Sequence, residues 1–205
     1  LKFIFTESFR IIKTRIEFIT QKKEFITVCI TSPESGDGKS YFSVNLAGIY
    51  SLSGKRTLLV DMDLRKPSLS NILNLNYTKG VSNILIEDCT IEEAIIRNYE
   101  QNLDFLPAGI IPPNPGELLA SEKTIKLLDF LKKKYEFIII DTSPIGLVSD
   151  SYPLTRISDI VLLISRCGKT NKTSLKNTST LLHKDNITNI YAILNGIKEC
   201  KSQYG

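Results

Sequence analysis

The stretch FITVCITSPESGDGKS occupies residues 25–40 and joins an apolar run to a glycine-containing turn. The apolar run, Phe25–Ile30, predicts a strand that is buried on both faces. In the turn, Gly36 and Gly38 let the backbone bend so that its N–H groups point inward and form a concavity for anionic oxygens. A helix predicted to begin near Lys39 adds the partial positive charge of its N-terminus. The stretch therefore predicts a strand, a phosphate-binding loop and a helix, in that order.

The loop resembles a P-loop, in which Lys39 would reach the β- and γ-phosphates and Ser40 would ligate Mg²⁺ through its hydroxyl. The strict pattern G-x-x-x-x-G-K-[ST] requires glycine at position 33, where this chain has Pro33. Because an ordinary turn at a helix start can also contain Gly-Lys-Ser, the loop alone does not decide the function. We expect ATP and Mg²⁺ as ligands, with the nucleotide contacted by Ser35, Gly36, Asp37, Gly38, Lys39, Ser40 and Tyr41.

Apolar, β-branched runs recur along the chain and alternate with segments of helical spacing. Four further strands are predicted at Thr57–Val60, Phe137–Ile140, Ile160–Ile164 and Ile190–Leu194. Helices are predicted at Thr6–Thr20, Tyr41–Leu52, Ile125–Lys134 and Ser174–His183. This alternation indicates an α/β P-loop NTPase fold, a doubly wound and mostly parallel β-sheet flanked by helices. No internal repeat or domain boundary is visible, so we expect residues 1–205 to form a single domain. Residues 107–117 are rich in Pro and Gly and are expected to be a loop.

Acidic residues follow two of the predicted strands. Asp61 and Asp63 are two residues apart, so they point to the same side if the strand continues that far. Asp141 follows three isoleucines, a Walker B pattern that places an acid to hold Mg²⁺ directly or through water. Acids at strand ends also serve as turn and cap residues, but three of them beside a phosphate loop fit a metal–nucleotide site better. In open α/β sheets, ligands bind at the carboxyl ends of the strands.

Composition narrows the other possibilities. Hydrophobic residues make up 42% of the chain and charged residues 23%, which is ordinary for a globular protein. The net charge is +4 with Lys and Arg spread along the chain, so we expect no nucleic-acid partner. No zinc site is expected, since there is one histidine and the four cysteines form no CxxC pair. Cys29 and Cys167 lie in apolar runs and are expected to be buried free thiols, which indicates a reducing, cytoplasmic compartment. No stretch is apolar over the roughly 20 residues that span a bilayer.

Several segments together resemble the bacterial tyrosine kinases (BY-kinases), which are the cytoplasmic kinase domains of capsule and exopolysaccharide co-polymerase systems. The run Asp61-Met62-Asp63-Leu64-Arg65-Lys66-Pro67 looks like the Walker A′ motif of this family. The other matching segments are Thr31-Ser32-Pro33 with Gly36 to Ser40, Asn45-Leu46-Ala47, Asp141-Thr142, Pro107-Ala108-Gly109 with Pro112 to Leu119, and Glu7-x-x-Arg10-x-x-Lys13. The resemblance covers nearly the whole chain.

The resemblance implies an ATP-dependent protein-tyrosine kinase that phosphorylates its own C-terminal tyrosines and regulates polysaccharide synthesis and export. Lys39 and Ser40 would bind phosphate and Mg²⁺, while Asp63 and Asp141 would organise the metal, mostly through water. Asp61 would be the base, because a phenol with a pKa of about 10 is a poor nucleophile until a carboxylate takes its proton. Asn195 lies where related P-loop ATPases often read adenine.

The resemblance also implies partners. In the family a Glu-x-x-Arg-x-x-Arg motif packs subunits head to tail into a ring, and Glu7, Arg10 and Lys13 stand at its positions, in a predicted oligomerisation helix at residues 1–22. Lys13 keeps the charge of arginine but loses its bidentate pairing. Residues 200–205 look like the start of a tyrosine-bearing tail, with Tyr204 as a phosphoacceptor. The expected activator is a membrane-spanning co-polymerase segment, fused or separate, which would hold the kinase at the inner face of the cell membrane.

Two other readings of the same motifs stay open. A MinD/ParA-like ATPase switch carries a second lysine five residues before the P-loop lysine, but this chain has Glu34 there. A nucleotide-binding scaffold of the export machinery would not need the acids, so the presence of Asp61, Asp63 and Asp141 counts against it. The iron–sulfur carriers of the same superfamily need cluster cysteines at spacings that this chain lacks.

Overall fold

Strands of nearly continuous apolar sequence form the centre of the computed structural model, which describes residues 7–21 and 23–197. In these residues seven strands join one sheet: β1 (Ile26–Thr31), β2 (Thr57–Asp61), β3 (Ile96–Glu100), β4 (Leu103–Leu106), β5 (Phe137–Asp141), β6 (Ile160–Arg166) and β7 (Ile190–Asn195). Their order across the sheet is β3-β4-β2-β5-β1-β6-β7. Every neighbouring pair is parallel except β3 with β4. The predicted α/β class is confirmed.

The three central strands end at one edge of the sheet. In β5, Asp141 lies in register with Asp61 of β2 on one side and with Ile30 of β1 on the other. The loops that leave these strands therefore start next to one another. This edge, where parallel strands end, is where open α/β sheets bind their ligands.

The sheet is covered on both faces, as its uninterrupted apolar strands require. Every residue of β1, β2 and β5 is buried. Because successive side chains of a strand point to opposite faces, Leu58 and Val60 belong to one apolar core and Leu59 to a second one on the other face. Two separate cores, one on each face, hold the layers together through burial of apolar surface.

Helices supply the rest of both cores. One face carries α1 (Glu7–Ile19), α2 (Lys39–Leu52) and α3 (Leu69–Leu73). The other carries α4 (Val81–Leu85), α5 (Ile91–Ala94), α6 (Pro115–Ala120), α7 (Glu122–Lys132), α8 (Tyr152–Ile157) and α9 (Lys172–Lys184). A 3₁₀ turn at Ser149–Ser151 precedes α8. Helix α1 packs against α2, where the rings of Phe9 and Phe42 lie with their centroids 5.1 Å apart.

Three expectations need correction. Residues 107–117 are not a loop throughout, because α6 begins at Pro115, and proline suits the first turn of a helix, where its missing N–H has no partner to lose. Strands β3 and β4 were not expected at all. Cys167 is exposed and not buried, because β6 ends at Arg166 and the chain turns there, whereas Cys29 is buried as expected.

None of the helices in residues 7–21 and 23–197 is both long and apolar enough to cross a bilayer.

Candidate active site

The phosphate-binding loop folds as its glycines predict. Gly36 has φ 79° and Gly38 has φ 93°, both in the left-handed region that glycine adopts at little cost. Gly38 is the residue before α2, and its carbonyl accepts the N–H of Phe42 at 3.0 Å, which starts the helix. The N-terminus of α2, with Lys39 and Ser40 in its first turn, therefore opens toward the end of β1.

The turn between β6 and α9 holds the outside of this loop. The Lys169 ammonium donates to the carbonyl of Ser35 at 2.9 Å, and the Thr170 hydroxyl donates to the buried carboxylate of Asp37 at 2.7 Å. From β7, the Asn195 amide donates to the carbonyl of Asp37 at 3.0 Å. These three contacts use carbonyls and a side chain of the loop, and none of them uses its N–H groups.

Lys39 meets the predicted acids inside the site. Its ammonium lies 3.1 Å from Asp63 Oδ2, 3.8 Å from Asp141 Oδ2 and 3.4 Å from Ser40 Oγ. Burial alone lowers the pKa of this ammonium, but the charges of Asp141, Asp63 and Asp61 outweigh it and raise the pKa above the ordinary value. Lys39 therefore stays protonated and is able to turn from these carboxylates to a phosphate.

Asp141 is a buried acid with an unused oxygen. Its Oδ1 accepts the Ser43 hydroxyl at 3.1 Å, while Oδ2 is fully buried and accepts no hydrogen bond within the part of the chain that the structure describes. Burial raises the pKa of this carboxyl, and the nearby Lys39 lowers it only in part. A buried oxygen without a hydrogen bond is costly, so Asp141 has a lone pair that a cation would satisfy.

Asp61 is buried as completely as Asp141. Its carboxylate is fully buried and accepts the N–H of Asp63 and the N–H of Leu69, each at 3.2 Å. Burial and the charge of Asp141 raise the pKa of Asp61 well above its ordinary value, although the Leu69 N–H lowers it in part. Strand β2 ends at Asp61, so the expected alternation does not reach Asp63, yet Asp63 still faces Lys39.

The oxygen atoms at this edge fit a magnesium ion. Mg²⁺ prefers oxygen ligands and is usually bound by one or two carboxylates together with phosphates and water. Asp141 Oδ2 is available, and Ser40 Oγ lies beside it with Ser68 Oγ donating to it at 2.9 Å. Within residues 7–21 and 23–197, no group of three His, Cys, Asp or Glu side chains is arranged to enclose a metal. The carboxylate and hydroxyl oxygens present suit a metal that is bound together with phosphate.

A cavity of about 630 Å³ opens over the phosphate loop. Its wall includes Lys39 and Tyr41 from the start of α2, Asp63 and Arg65 from the segment after β2, and Arg166 from the end of β6. A cavity of about 700 Å³ lies at the opposite edge of the sheet and is lined by Lys55 and Glu136, among others. In that cavity Lys55 pairs with Glu136 at 2.9 Å, so of these two cavities the first is the one that combines an anion cradle with acids.

The structure brings most of the predicted site residues together. The first cavity is lined by Ser35, Gly36, Gly38, Lys39, Ser40, Tyr41 and Asp63, whereas Asp37, Asp61, Asp141 and Asn195 lie behind its wall. Glu7, Arg10 and Lys13 lie apart from it on α1, where Arg10 pairs with Glu7 at 3.2 Å and Lys13 pairs with Glu17 at 2.9 Å. Tyr204 is outside the described residues.

Other residues at this site were not among the predicted site residues, although Arg65 lies within the Walker A′ run. Ser68 contacts Ser40, and Arg65 binds Asp150 through two hydrogen bonds. Arg166 lines the cavity at the end of β6. The sequence places Arg166 just beyond the predicted strand Ile160–Ile164. Because that strand, β6, is next to β1 in the sheet, its end lies near the phosphate-binding loop.

Known proteins share this arrangement. The family model described as AAA domain matches residues 23–196. The tyrosine-protein kinase YwqD of Bacillus subtilis is 37% identical over 98% of this chain and 85% of its own length. The tyrosine-protein kinase CpsD of Streptococcus agalactiae is 32% identical over 97% of this chain and 85% of its own length. The chain belongs to the bacterial tyrosine kinases. As a BY-kinase it is a protein-tyrosine kinase with a P-loop NTPase fold.

Solved structures agree with this family. The kinase domain of the Escherichia coli tyrosine kinase ETK superposes with a TM-score of 0.87 at 28% identity, over 97% of this chain and 79% of that one. A plasmid partition protein from Borrelia burgdorferi reaches a TM-score of 0.69 at 27% identity, over 86% of this chain and 81% of that one. The switch ATPases thus share the fold, but the BY-kinase match is closer and covers more of the chain. The tyrosine-protein kinase ptk of Acinetobacter johnsonii is 32% identical over 97% of this chain but only 27% of its own length.

Proposed function

We propose that this BY-kinase transfers the γ-phosphoryl group of Mg²⁺-bound ATP to C-terminal tyrosines of a neighbouring copy, and so regulates capsule or exopolysaccharide synthesis and export. The observation that carries the proposal is the convergence of Lys39, Ser40, Asp63 and Asp141 beside a glycine-bent anion cradle. Such a set supplies what phosphoryl transfer requires, which is positioning together with charge stabilisation.

The phosphate loop and Lys39 hold the nucleotide in this scheme. The N–H groups of residues 35–40 and the N-terminus of α2 receive the phosphates. Lys39 leaves Asp63 and Asp141 and pairs with the β- and γ-phosphates. Asn195, already fixed to the carbonyl of Asp37, stands at the adenine end. Tyr41 is 63% exposed in the first turn of α2, within reach of the ribose and phosphate side.

Ser40, Asp63 and Asp141 are the side chains that would hold Mg²⁺. When bound, the ion supplies positive charge that neutralises the transferring phosphoryl group. Ser40 offers its hydroxyl lone pair. Once Lys39 has turned away, Asp141 offers Oδ2, which accepts no hydrogen bond from the described residues, and Asp63 orients water.

The chemical step moves one proton and exchanges one bond at phosphorus. Asp61 takes the proton of the acceptor tyrosine, and the phenolate oxygen forms a bond to the γ-phosphorus. The bond between that phosphorus and the β–γ bridging oxygen breaks, and ADP leaves with the electron pair. The raised pKa of Asp61 suits a base. Because Asp61 is buried under the Leu69 N–H, the start of α3 has to move before a tyrosine reaches it.

The acceptor and partners follow from the family. Tyr204 is the proposed acceptor, delivered by the next subunit of a ring that packs through Glu7, Arg10 and Lys13. The first two side chains are 72% and 67% exposed on α1, so they are free to meet a neighbour. The proposed activator is a membrane-spanning co-polymerase segment, and the kinase would act in the cytoplasm at the inner face of the cell membrane. The short match to a much longer relative supports a fused activator in part of the family.

The test is a phosphotyrosine assay with purified protein that carries its complete C-terminal tail and its activator segment. Incubation with ATP and Mg²⁺, followed by mass spectrometry, should find phosphate on tail tyrosines. We expect Lys39→Met to abolish the signal and weaken ATP binding, because it removes the ammonium that meets the phosphates. Asp61→Asn should keep ATP binding and lose most transfer.

Lys55→Met is the matched control. Lys55 also pairs with an acid at 2.9 Å, but at the opposite edge of the sheet, so its loss should leave both readouts unchanged. If the wild type hydrolyses ATP yet forms no phosphotyrosine, the kinase proposal fails and an ATPase switch becomes the better description. Loss of ATP binding in Asp61→Asn would contradict its role as the base.

A further inference from the structure

Arg166 emerges at the edge of the sheet where the nucleotide is proposed to bind. It is the last residue of β6, and β6 is the neighbour of β1, the strand that carries the phosphate loop. Its side chain lines the 630 Å³ cavity together with Gly36 and Gly38. No P-loop, Walker A′ or Walker B motif includes this residue.

The backbone and the stem of Arg166 are held in place. Its N–H donates to the Thr170 hydroxyl at 2.6 Å, and its carbonyl accepts the N–H groups of Lys169 and Thr170 at 3.1 and 3.0 Å. The stem passes over Gly196, where an added Cβ would lie 3.3 Å from Arg166 Cγ. Glycine at that position thus leaves room for the stem beside the phosphate loop.

The guanidinium of Arg166 is largely unused. Of its five N–H donors, one reaches the Gly36 carbonyl, at 3.5 Å, and no ion pair forms with any residue in the described ranges. By contrast, Arg65 on the same cavity is paired with Asp150. Arg166 is therefore a cation beside the anion cradle with most of its donors free.

The charges of the site call for such a cation. Lys39 is surrounded by Asp61, Asp63 and Asp141, and Glu34 occupies the position where switch ATPases have a second lysine. The Glu34 carboxylate accepts the N–H of Asn171 at 3.4 Å, so it is turned toward the β6–α9 turn. Besides Lys39 and the paired Arg65, the cavity is lined by Lys66 and Arg166, and of these two Arg166 contacts the loop itself.

We propose that Arg166 binds the phosphates of the nucleotide, as a second cation that reaches the cradle from β6. Guanidinium suits this role because its fork of donors matches phosphate oxygens in pairs. On binding, Arg166 exchanges its weak contact with Gly36 for phosphate oxygens. The inference rests on the proposed nucleotide site, but it does not depend on transfer to tyrosine.

The experiment compares equilibrium binding of ATP, ADP and adenosine to the full chain by calorimetry and by competition with a fluorescent nucleotide. Arg166→Gln should weaken ATP and ADP binding about tenfold or more, equal to about 1.4 kcal/mol, and leave adenosine unchanged. Arg166→Lys keeps the charge without the fork of donors, so its affinity for ATP and ADP should lie between those of the wild type and Arg166→Gln. Arg156→Gln, an exposed arginine on α8 away from this cavity, is the control and should change nothing.

Each outcome separates this inference from the kinase proposal. A change of less than twofold for ATP in Arg166→Gln, or an equal loss for adenosine, would overturn the phosphate role. Suppose that the wild type binds nucleotide but forms no phosphotyrosine, and that Arg166→Gln weakens this binding. This result would uphold the inference about Arg166 and refute the kinase proposal. If the wild type binds no nucleotide, both fail. Thermal unfolding of each variant identifies any loss of affinity that comes from misfolding. If Arg166→Gln is misfolded, the affinities of Arg166→Lys decide the question in its place.

Discussion

The pair of Arg65 and Asp150 joins two segments that border the 630 Å³ cavity. Arg65 follows β2 in the segment that carries Asp63, and Asp150 lies in the 3₁₀ turn after β5. Nη2 of Arg65 donates to Oδ1 of Asp150 at 3.0 Å, and Nε donates to Oδ2. The Arg65 side chain is 48% exposed, whereas that of Asp150 is only 4% exposed. Removing the arginine therefore leaves a buried carboxylate, while removing the acid leaves an arginine that water can solvate.

This asymmetry sets the expected magnitudes. Losing one partner of a fully buried ion pair costs about 3–5 kcal/mol, and losing an exposed pair costs about 0–1 kcal/mol. Because water reaches one side of this pair, we expect Arg65→Gln to lower the free energy of unfolding by about 2 kcal/mol. Asp150→Asn should lower it by about 1 kcal/mol. The double variant should resemble Asp150→Asn, which gives a coupling energy of about 2 kcal/mol.

The assay is a double-mutant cycle measured by urea denaturation without nucleotide. All four proteins should unfold with the same dependence on urea concentration, so that shifts of the midpoint report stability. A coupling energy below about 0.5 kcal/mol, the level of independent sites, would refute the reasoning. In that case the double variant would lose stability by the sum of the two single effects, and Asp150 would not depend on Arg65.

Two further predictions concern the acid cluster and the phosphate loop. Burial raises the pKa of Asp141 above the ordinary value of 3.8, so the native chain holds this proton to higher pH than the unfolded chain and loses stability as pH rises between the two values. The side chain in Asp141→Asn cannot ionise. In urea unfolding without Mg²⁺, the stability of this variant relative to the wild type should therefore increase with pH. A stability difference that does not change with pH would contradict this cause. Gly38→Ala should weaken ATP binding more than Gly54→Ala: both glycines have positive φ, 93° and 81°, but only at Gly38 would a Cβ collide with Asn195, whereas Gly54 has open space. Equal ATP affinities of Gly38→Ala and Gly54→Ala would show that the contact of Asn195 with the loop does not require glycine at position 38.

The central strands were predictable because their burial leaves little choice of sequence. Val28, Leu59 and Ile139 lie in runs that are apolar on both sides, and the strands end within two residues of the predicted positions. The acids that follow β2 and β5 were predictable for the same reason, since a charge at the end of such a run has to lie at the sheet edge. Parallel pairing then brings Asp61 beside Asp141.

The peripheral elements were not predictable from the same signals. β3 has the sequence IRNYE and no fully buried residue, so its pairing with β4 gives no periodic apolar pattern. The prolines of residues 107–117 hid the start of α6, which depends on Pro115 being at a helix N-terminus. The depth of Asp61 depends on Leu69, eight residues away, and the orientation of Arg166 depends on Gly196. Such contacts belong to the packing of loops, which local sequence does not encode.

The crowding of Asp61, Asp63 and Asp141 around one ammonium also bears on the form in which the nucleotide enters. Free triphosphate is strongly anionic, and carboxylates at 3.1 and 3.8 Å from Lys39 compete with it for that lysine. A triphosphate already complexed with its metal would bring its own countercharge, which would relieve the competition and give Asp141 Oδ2 a partner in place of Lys39. In the proposed nucleotide site, the acids would therefore favour the metal-complexed nucleotide over the bare one.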